Sequence, residues 1–145
     1  MQRIKIELPD QILYTDSFEI LAEDINEAKH MGNERILVFA NDIRKRFYAH
    51  LQLKEGDWEN GHGTIVVNHA INYKNEGFAG DKITCQVGVT NVTECSFDLV
   101  LHFIKNQEKT LAVLRTGKVY FDYNERKIRP LPQAFLQAFG VTLPT

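Results

Sequence analysis

The stretch Asp24-Ile25-Asn26-Glu27-Ala28-Lys29-His30-Met31-Gly32-Asn33 decides how the chain is read, because polar groups accumulate there immediately before a long amphipathic run. Gly32 lets the backbone bend, and Asn33 is the expected N-cap, its amide oxygen accepting from a free N–H of the first helical turn. From Asn33 to about Leu51, the residues Ile36, Phe39, Ala40, Ile43, Phe47 and Leu51 recur at helical spacing, while Glu34, Arg35, Asp42, Lys45 and Arg46 mainly take the other faces. Such a helix start presents unpaired N–H groups and the positive end of the dipole. It suits an anion, or a carbonyl oxygen that gains negative charge during reaction.

Upstream, Ile4, Ile6 and Leu8 alternate before Pro9, and Phe18, Ile20 and Ala22 alternate before the polar stretch, so both pieces read as strand or extended arm. Downstream, Gly56-Asp57 and Asn60-Gly61-His62-Gly63 are expected to stop the helix, and the period then switches to two. Ile65, Val67, His69, Ile71 and Tyr73 are expected on one face of a long strand, with Val66, Asn68, Ala70 and Asn72 on the other. Two further strands follow, one with Ile83, Cys85, Val87 and Val89 on a face, the next running from Cys95 with Phe97, Leu99, Leu101 and Phe103. A fourth runs from Leu111 to Tyr123, and a short helix from Gln133 to Phe139 ends at Gly140. Strand, long helix, then long strands joined by short turns predicts an α+β class. The expected architecture is a curved antiparallel sheet wrapped around one long central helix, in a single domain over residues 1–145.

The composition, 43% hydrophobic and 25% charged, allows a sizeable core and excludes disordered and fibrous classes. Seventeen Lys and Arg against nineteen Asp and Glu leave a formal charge of −2, so no global basic field draws the chain to nucleic acid or to an anionic membrane. The longest apolar run, Ile36 to Ala40, is far short of a membrane span, and Met1-Gln2-Arg3 leads into no signal-peptide core, so a cytoplasmic location is expected. Cys85 and Cys95 form no C-x-x-C pair, and His30, His50, His62, His69 and His102 follow no metal spacing. Glycine-rich nucleotide loops and a G-x-S-x-G elbow are missing too; the expectation is chemistry without metal or dissociable cofactor.

The order Asp-Ile-Asn, three residues, His, two residues, Asn and then an amphipathic helix resembles the hotdog-fold acyl-CoA thioesterases, in their 4-hydroxybenzoyl-CoA thioesterase-like branch. That branch typically reads Asp-x-Asp-x-x-Gly-His-x-Asn-Asn, with which Asp24, Asn26, His30 and Asn33 fall in register. Tyr73 with Gly80-Asp81 resembles the family's Tyr…Gly-Asp turn, and Pro130-Leu131-Pro132 its closing proline segment, so the likeness spans residues 17–140. It implies a hydrolase that cleaves an acyl-CoA or acyl-carrier thioester by water attack. The site would be shared within a homodimer or dimer of dimers, a homotetramer.

In that reading Asp24, Asn26, His30 and Asn33 are the catalytic candidates. The helix start at Asn33 would stabilise the oxyanion, Asn26 and His30 would position water and carbonyl, and Asp24 would be base or electrostatic partner. Asn68 and His69 are the substrate-binding candidates, on the strand that pairs across hotdog dimers. Asn26 departs from the family, since many relatives carry there an aspartate that acts as nucleophile or base. A second subgroup places its acid two helical turns on, where this chain has Asn41. Asp24 or Glu34 is therefore left to supply negative charge. The same departures define the alternative, a hotdog protein that binds acyl-CoA or an acyl carrier without turning it over. Arg44, Lys45, Arg46 and Lys74 can meet coenzyme A phosphates, yet equally suit a solvated surface.

Overall fold

The computed structural model describes residues 1–144; Thr145, the last residue of the expected domain, lies outside the described residues. In chain order the elements are β1 (Tyr14–Glu19), a 3-10 turn (Ala22–Asp24), α1 (Arg35–His50), β2 (Gly56–Asp57), β3 (His62–Tyr73), β4 (Lys82–Thr90), β5 (Ser96–Lys105), β6 (Lys109–Asp122), β7 (Lys127–Ile128) and α2 (Gln133–Phe139). The strands form a curled antiparallel sheet in the order β1-β4-β5-β6-β3-β2, with β7 paired to β6.

Alternation in the strands supplies one apolar face. Phe97, Leu99, Leu101 and Phe103 of β5, with Ile83, Cys85 and Val87 of β4, are almost wholly buried. On α1, Ile36, Ala40, Ile43 and Phe47 make the matching stripe and join the same core, which α2 closes with Phe135 and Phe139. Phe39 lies at the stripe's margin, half-buried, stacked on Phe18 with ring centroids 4.0 Å apart.

Three expectations change in detail. First, α1 begins at Arg35 with Glu34 in the capping position, and no side chain caps it. Asn33 stays outside because its carbonyl accepts the Tyr73 hydroxyl at 2.9 Å, while Met31 and Gly32 are pinned by bonds to the Gly77 and Asp24 carbonyls. Second, the stop of α1 is Gln52 at φ 57°, ahead of the glycines. Its N–H reaches the Ala49 carbonyl and that of Leu53 reaches the Tyr48 carbonyl, the paired bonds of a Schellman end.

Third, β3 carries a bulge. Val66 pairs with Lys118 and Asn68 with Gly117, so Val67 is an extra residue. The bulge reverses the faces on one side of it: Thr64 and Val66 share the helix-covered face with His69, Ile71 and Tyr73, whereas Ile65, Asn68, Ala70 and Asn72 take the opposite face. A strict period of two cannot anticipate that reversal.

Candidate active site

The stretch from Asp24 to Asn33 folds into a closed loop. Ile25 and Met31 form an isolated antiparallel bridge, and the Asn26 N–H donates to the His30 carbonyl at 2.9 Å. Within the loop the Asn26 side-chain oxygen accepts the Ala28 N–H at 2.9 Å and Lys29 takes φ 67°, the geometry of an Asx turn. His30 Nδ1 lies 3.1 Å from the Met31 carbonyl. A carbonyl only accepts, so Nδ1 carries the proton, and a neutral ring offers Nε2 as an acceptor.

This loop, the start of α1 and the end of β3 line a half-open cavity of about 300 Å³. Asn26, His30, Asn33, Ile36, Tyr73 and Leu111 are among its walls. Polar residues of the loop and of the segment after β3, Lys74, Asn75 and Glu76 among them, meet the apolar Met31, Ile36 and Leu111 around it, a mixture that suits a binding site. The approach to α1 supplies donors: among the described residues, the N–H groups of Asn33 and Glu34, and that of Ile36 in the first turn, bond no acceptor of the chain. The Glu34 carboxylate folds back over Gly32, where a Cβ would lie 2.5 Å from Glu34 Oε1. Burial, and then the charge of Glu34, push the Tyr73 hydroxyl above its ordinary pKa.

Asp24 is placed differently from its neighbours in the motif. Its side chain is 3% exposed, with Oδ1 2.8 Å from Arg35 Nη2 and Oδ2 accepting the Leu21 N–H at 2.8 Å. It does not line the cavity; it fixes the guanidinium of the first residue of α1. Asn33 lines the cavity, without the expected side-chain cap. Asn41 is exposed on α1, its side-chain oxygen accepting from Arg44 Nη1 at 2.8 Å.

Asn68 and His69 are separated by the pleat. Asn68 turns to the face away from α1, folding over Gly117, where a Cβ would lie 2.6 Å from its Oδ1. His69 stays on the helix-covered face, with Nδ1 2.9 Å from Thr116 Oγ1. Neither belongs to the walls of the 300 Å³ cavity. Burial, followed by the charges of Arg44 and Lys118, holds the His69 imidazole below its ordinary pKa.

Sequence reasoning missed Glu76, Gly77 and Leu111 in the cavity wall. Leu111 is displaced by an irregularity between Phe103 and Ile104 in the β5–β6 register, which no local pattern signals. Gly77 carried a signal: a Cβ there would lie 2.6 Å from Ile20 Cδ1, so a glycine in that turn marks close packing.

A curled antiparallel sheet packed on α1, with a cavity at the start of that helix, defines the hotdog class. The family model of the thioesterase-like superfamily matches residues 20–139, and the chain belongs to that superfamily. Among solved structures it is similar to a 1,4-dihydroxy-2-naphthoyl-CoA thioesterase from Synechocystis, with 18% identity and TM-score 0.79 over 88% of this chain and 95% of that one. A hypothetical protein from Staphylococcus aureus, solved in complex with CoA, gives 16% identity and TM-score 0.80 over 97% and 94%. A 12:0-ACP thioesterase from Umbellularia californica gives 9% and 0.76 over 88% of this chain and 49% of that one. At such identities the likeness establishes the fold. No curated protein matches the chain by sequence.

Proposed function

We propose that this chain is an acyl-CoA thioesterase whose single domain hydrolyses the thioester by water attack in the cavity at the start of α1. The observation that carries the reading is the convergence of Asn26, His30 and Asn33 around about 300 Å³ of space, beside N–H groups at the approach to α1 that bond no acceptor of the chain. The thioester carbonyl oxygen accepts from the N–H groups of Asn33 and its neighbours, which stabilise the oxyanion as water adds. A well-aimed donor of this kind is worth about 2.7–4 kcal/mol of barrier.

The carboxylate assigned to take the proton from water is Glu34, which folds over the cavity residue Gly32, since Asp24 is engaged by Arg35 and Leu21. His30 Nε2 and the Asn26 amide orient the water and the carbonyl. Collapse of the tetrahedral adduct expels the coenzyme A thiolate, which recovers the proton. Asp24 acts through Arg35 as the electrostatic partner that positions the first turn.

The working unit is a homodimer. From Ile65 to Ala70, one side of β3 pairs with β6 while the other has no strand beside it among the described residues, an edge that a second copy can extend. Asn68 and His69 are then substrate-binding through that shared edge. The candidate substrates are CoA thioesters, supported by the CoA-bound fold relative.

Thiol release from short, long and aromatic acyl-CoAs tests the reading. Turnover that falls at least about a hundredfold in Glu34→Gln and in His30→Ala, with melting temperatures held, supports it. Saturable acyl-CoA binding without any thiol release favours the non-catalytic alternative, whose motive is that Asn26 and Asn41 stand where relatives carry acids.

A further inference from the structure

A second polar constellation lies on the same face, about 12 Å along α1 from the cavity. Lys118 Nζ is 2.7 Å from Glu55 Oε2, and Arg44 Nε is 2.6 Å from that same oxygen. The Lys118 side chain is 1% exposed and that of Arg44 is 17% exposed. Arg44 Nε is buried and, among the described residues, has no aligned hydrogen-bond acceptor. Two cations thus share one carboxylate oxygen, and neutral His69 beside them adds no negative charge. A buried excess of positive charge is costly unless an anion joins it.

The constellation is joined to the cavity by a strip between α1 and β3. These elements run alongside one another in opposite directions: the start of α1 meets Tyr73, while Tyr48 near its end bonds Thr64 at 2.7 Å. Ile36, Ala40 and Arg44 follow at intervals of four and so form one row of the helix. Tyr73, Ile71, His69 and Val66 form the facing row of β3, with Val66 opposite Lys118. Helix rise over Ile36 to Arg44 gives about 12 Å. Strand rise over Tyr73 to His69 gives about 13 Å. The middle of the strip, Ala40 and Ile71, is apolar, which suits methylenes and not a ribose diphosphate.

We propose that this strip takes an acyl chain whose far end is a carboxylate, held by Arg44 with Lys118 behind it, so that the preferred substrates are ω-carboxyacyl thioesters. The proposal rests on the acyl-thioester reading above and names its substrate class. Glu55 keeps the two cations in place and sets the direction from which the anion approaches Arg44. Burial, the largest cause, holds the Lys118 ammonium below its ordinary pKa against the opposing pull of Glu55.

The test compares octanoyl-CoA with suberyl-CoA, equal in carbon number and differing by the terminal carboxylate. Wild type should favour suberyl-CoA in kcat/KM by about tenfold or more. In Arg44→Gln that ratio should fall to about one, and Arg44→Lys should keep part of it. A wild-type ratio of one or less, or a ratio that Arg44→Gln leaves unchanged, overturns the proposal. Free suberate and free octanoate, measured by calorimetry, separate this from the catalytic reading. Suberate bound by wild type and lost in Arg44→Gln, with no thiol released from either thioester, upholds the anion site while the hydrolase assignment fails. Free coenzyme A distinguishes the other source of anions: if Arg44→Gln weakens coenzyme A as much as suberate, the cluster serves a phosphate and the acyl assignment is wrong.

Discussion

The Tyr73 hydroxyl donates to the Asn33 carbonyl at 2.9 Å, tying the last residue of β3 to the residue that leads into α1. The peptide plane shared by that carbonyl and the Glu34 N–H is thereby held in one orientation. The Glu34 N–H bonds no acceptor of the chain and adjoins the cavity residue Asn33, so in the proposed mechanism the bond sets the direction of an oxyanion donor. Tyr73→Phe should lower kcat about tenfold with little change in KM, because the misaimed donor matters most in the transition state. Its stability should fall by only about 0.5–1.5 kcal/mol, the net worth of one hydrogen bond, read from urea unfolding.

Asp24 offers a sharper separation of roles. Its carboxylate is almost wholly buried and bonds both the Leu21 N–H and Arg35. Asp24→Asn keeps the shape and removes the charge, so it should cost on the order of 1–3 kcal/mol in denaturant unfolding, with a partial loss of kcat as the start of α1 loosens. A loss of kcat beyond about a thousandfold at unchanged stability would instead make Asp24 the base.

The way Asp24 and the bulge in β3 escaped a linear reading has one physical origin. Periodicity reports which face a residue takes only while the backbone stays regular. It therefore predicted the inward rows of β4 and β5, the stripe on α1 and the bounds of α2, all built from uninterrupted elements. At Val67 an added residue reverses the row, which sends Asn68 to one face and leaves His69 on the other. Asp24 precedes α1 by a loop whose path depends on bonds to Gly77 and Tyr73, more than forty positions on, and spacing carries none of that. Lys118 was legible in principle. Ala112, Leu114, Thr116, Lys118 and Tyr120 alternate inward on β6, and a lysine in an inward row announces a buried partner.

The helix end gives a prediction of opposite sign. Gln52 sits at φ 57° with an exposed side chain, in the position that a Schellman end normally gives to glycine. An L side chain in that region costs roughly 1–2 kcal/mol, part of which glycine returns through its freer unfolded chain. Gln52→Gly should therefore stabilise the protein by about 0.5–1 kcal/mol, seen as a higher urea midpoint at constant slope.

The two phenylalanines of α1 should differ in cost although the sequence presents them alike. Phe47 is 0% exposed in the centre of the core, and truncation to alanine should cost about 3–5 kcal/mol. Phe39 is half-buried and packs at the margin on Phe18 and under the Arg35 guanidinium, 5.2 Å from its ring. Its truncation leaves a gap that water can enter, so Phe39→Ala should cost less than Phe47→Ala in parallel denaturant titrations.

Stability toward acid should depend on His102, half-buried on β5 with Nε2 2.7 Å from Thr110 Oγ1. Burial holds this imidazole below its ordinary pKa in the folded chain. The unfolded chain therefore binds a proton near pH 6.5 that the folded chain still refuses. Where the unfolded state holds more protons, stability rises with pH; so it is full above about pH 6.5 and declines as the pH falls toward the folded pKa. His102→Gln, which can still hydrogen-bond Thr110, should flatten that decline between about pH 7 and pH 5 in urea midpoints. His69 is shifted in the same direction, so the single variant should retain part of the slope and the double variant His69→Gln/His102→Gln should retain less. A wild-type slope in the double variant would place the acid sensitivity on other groups.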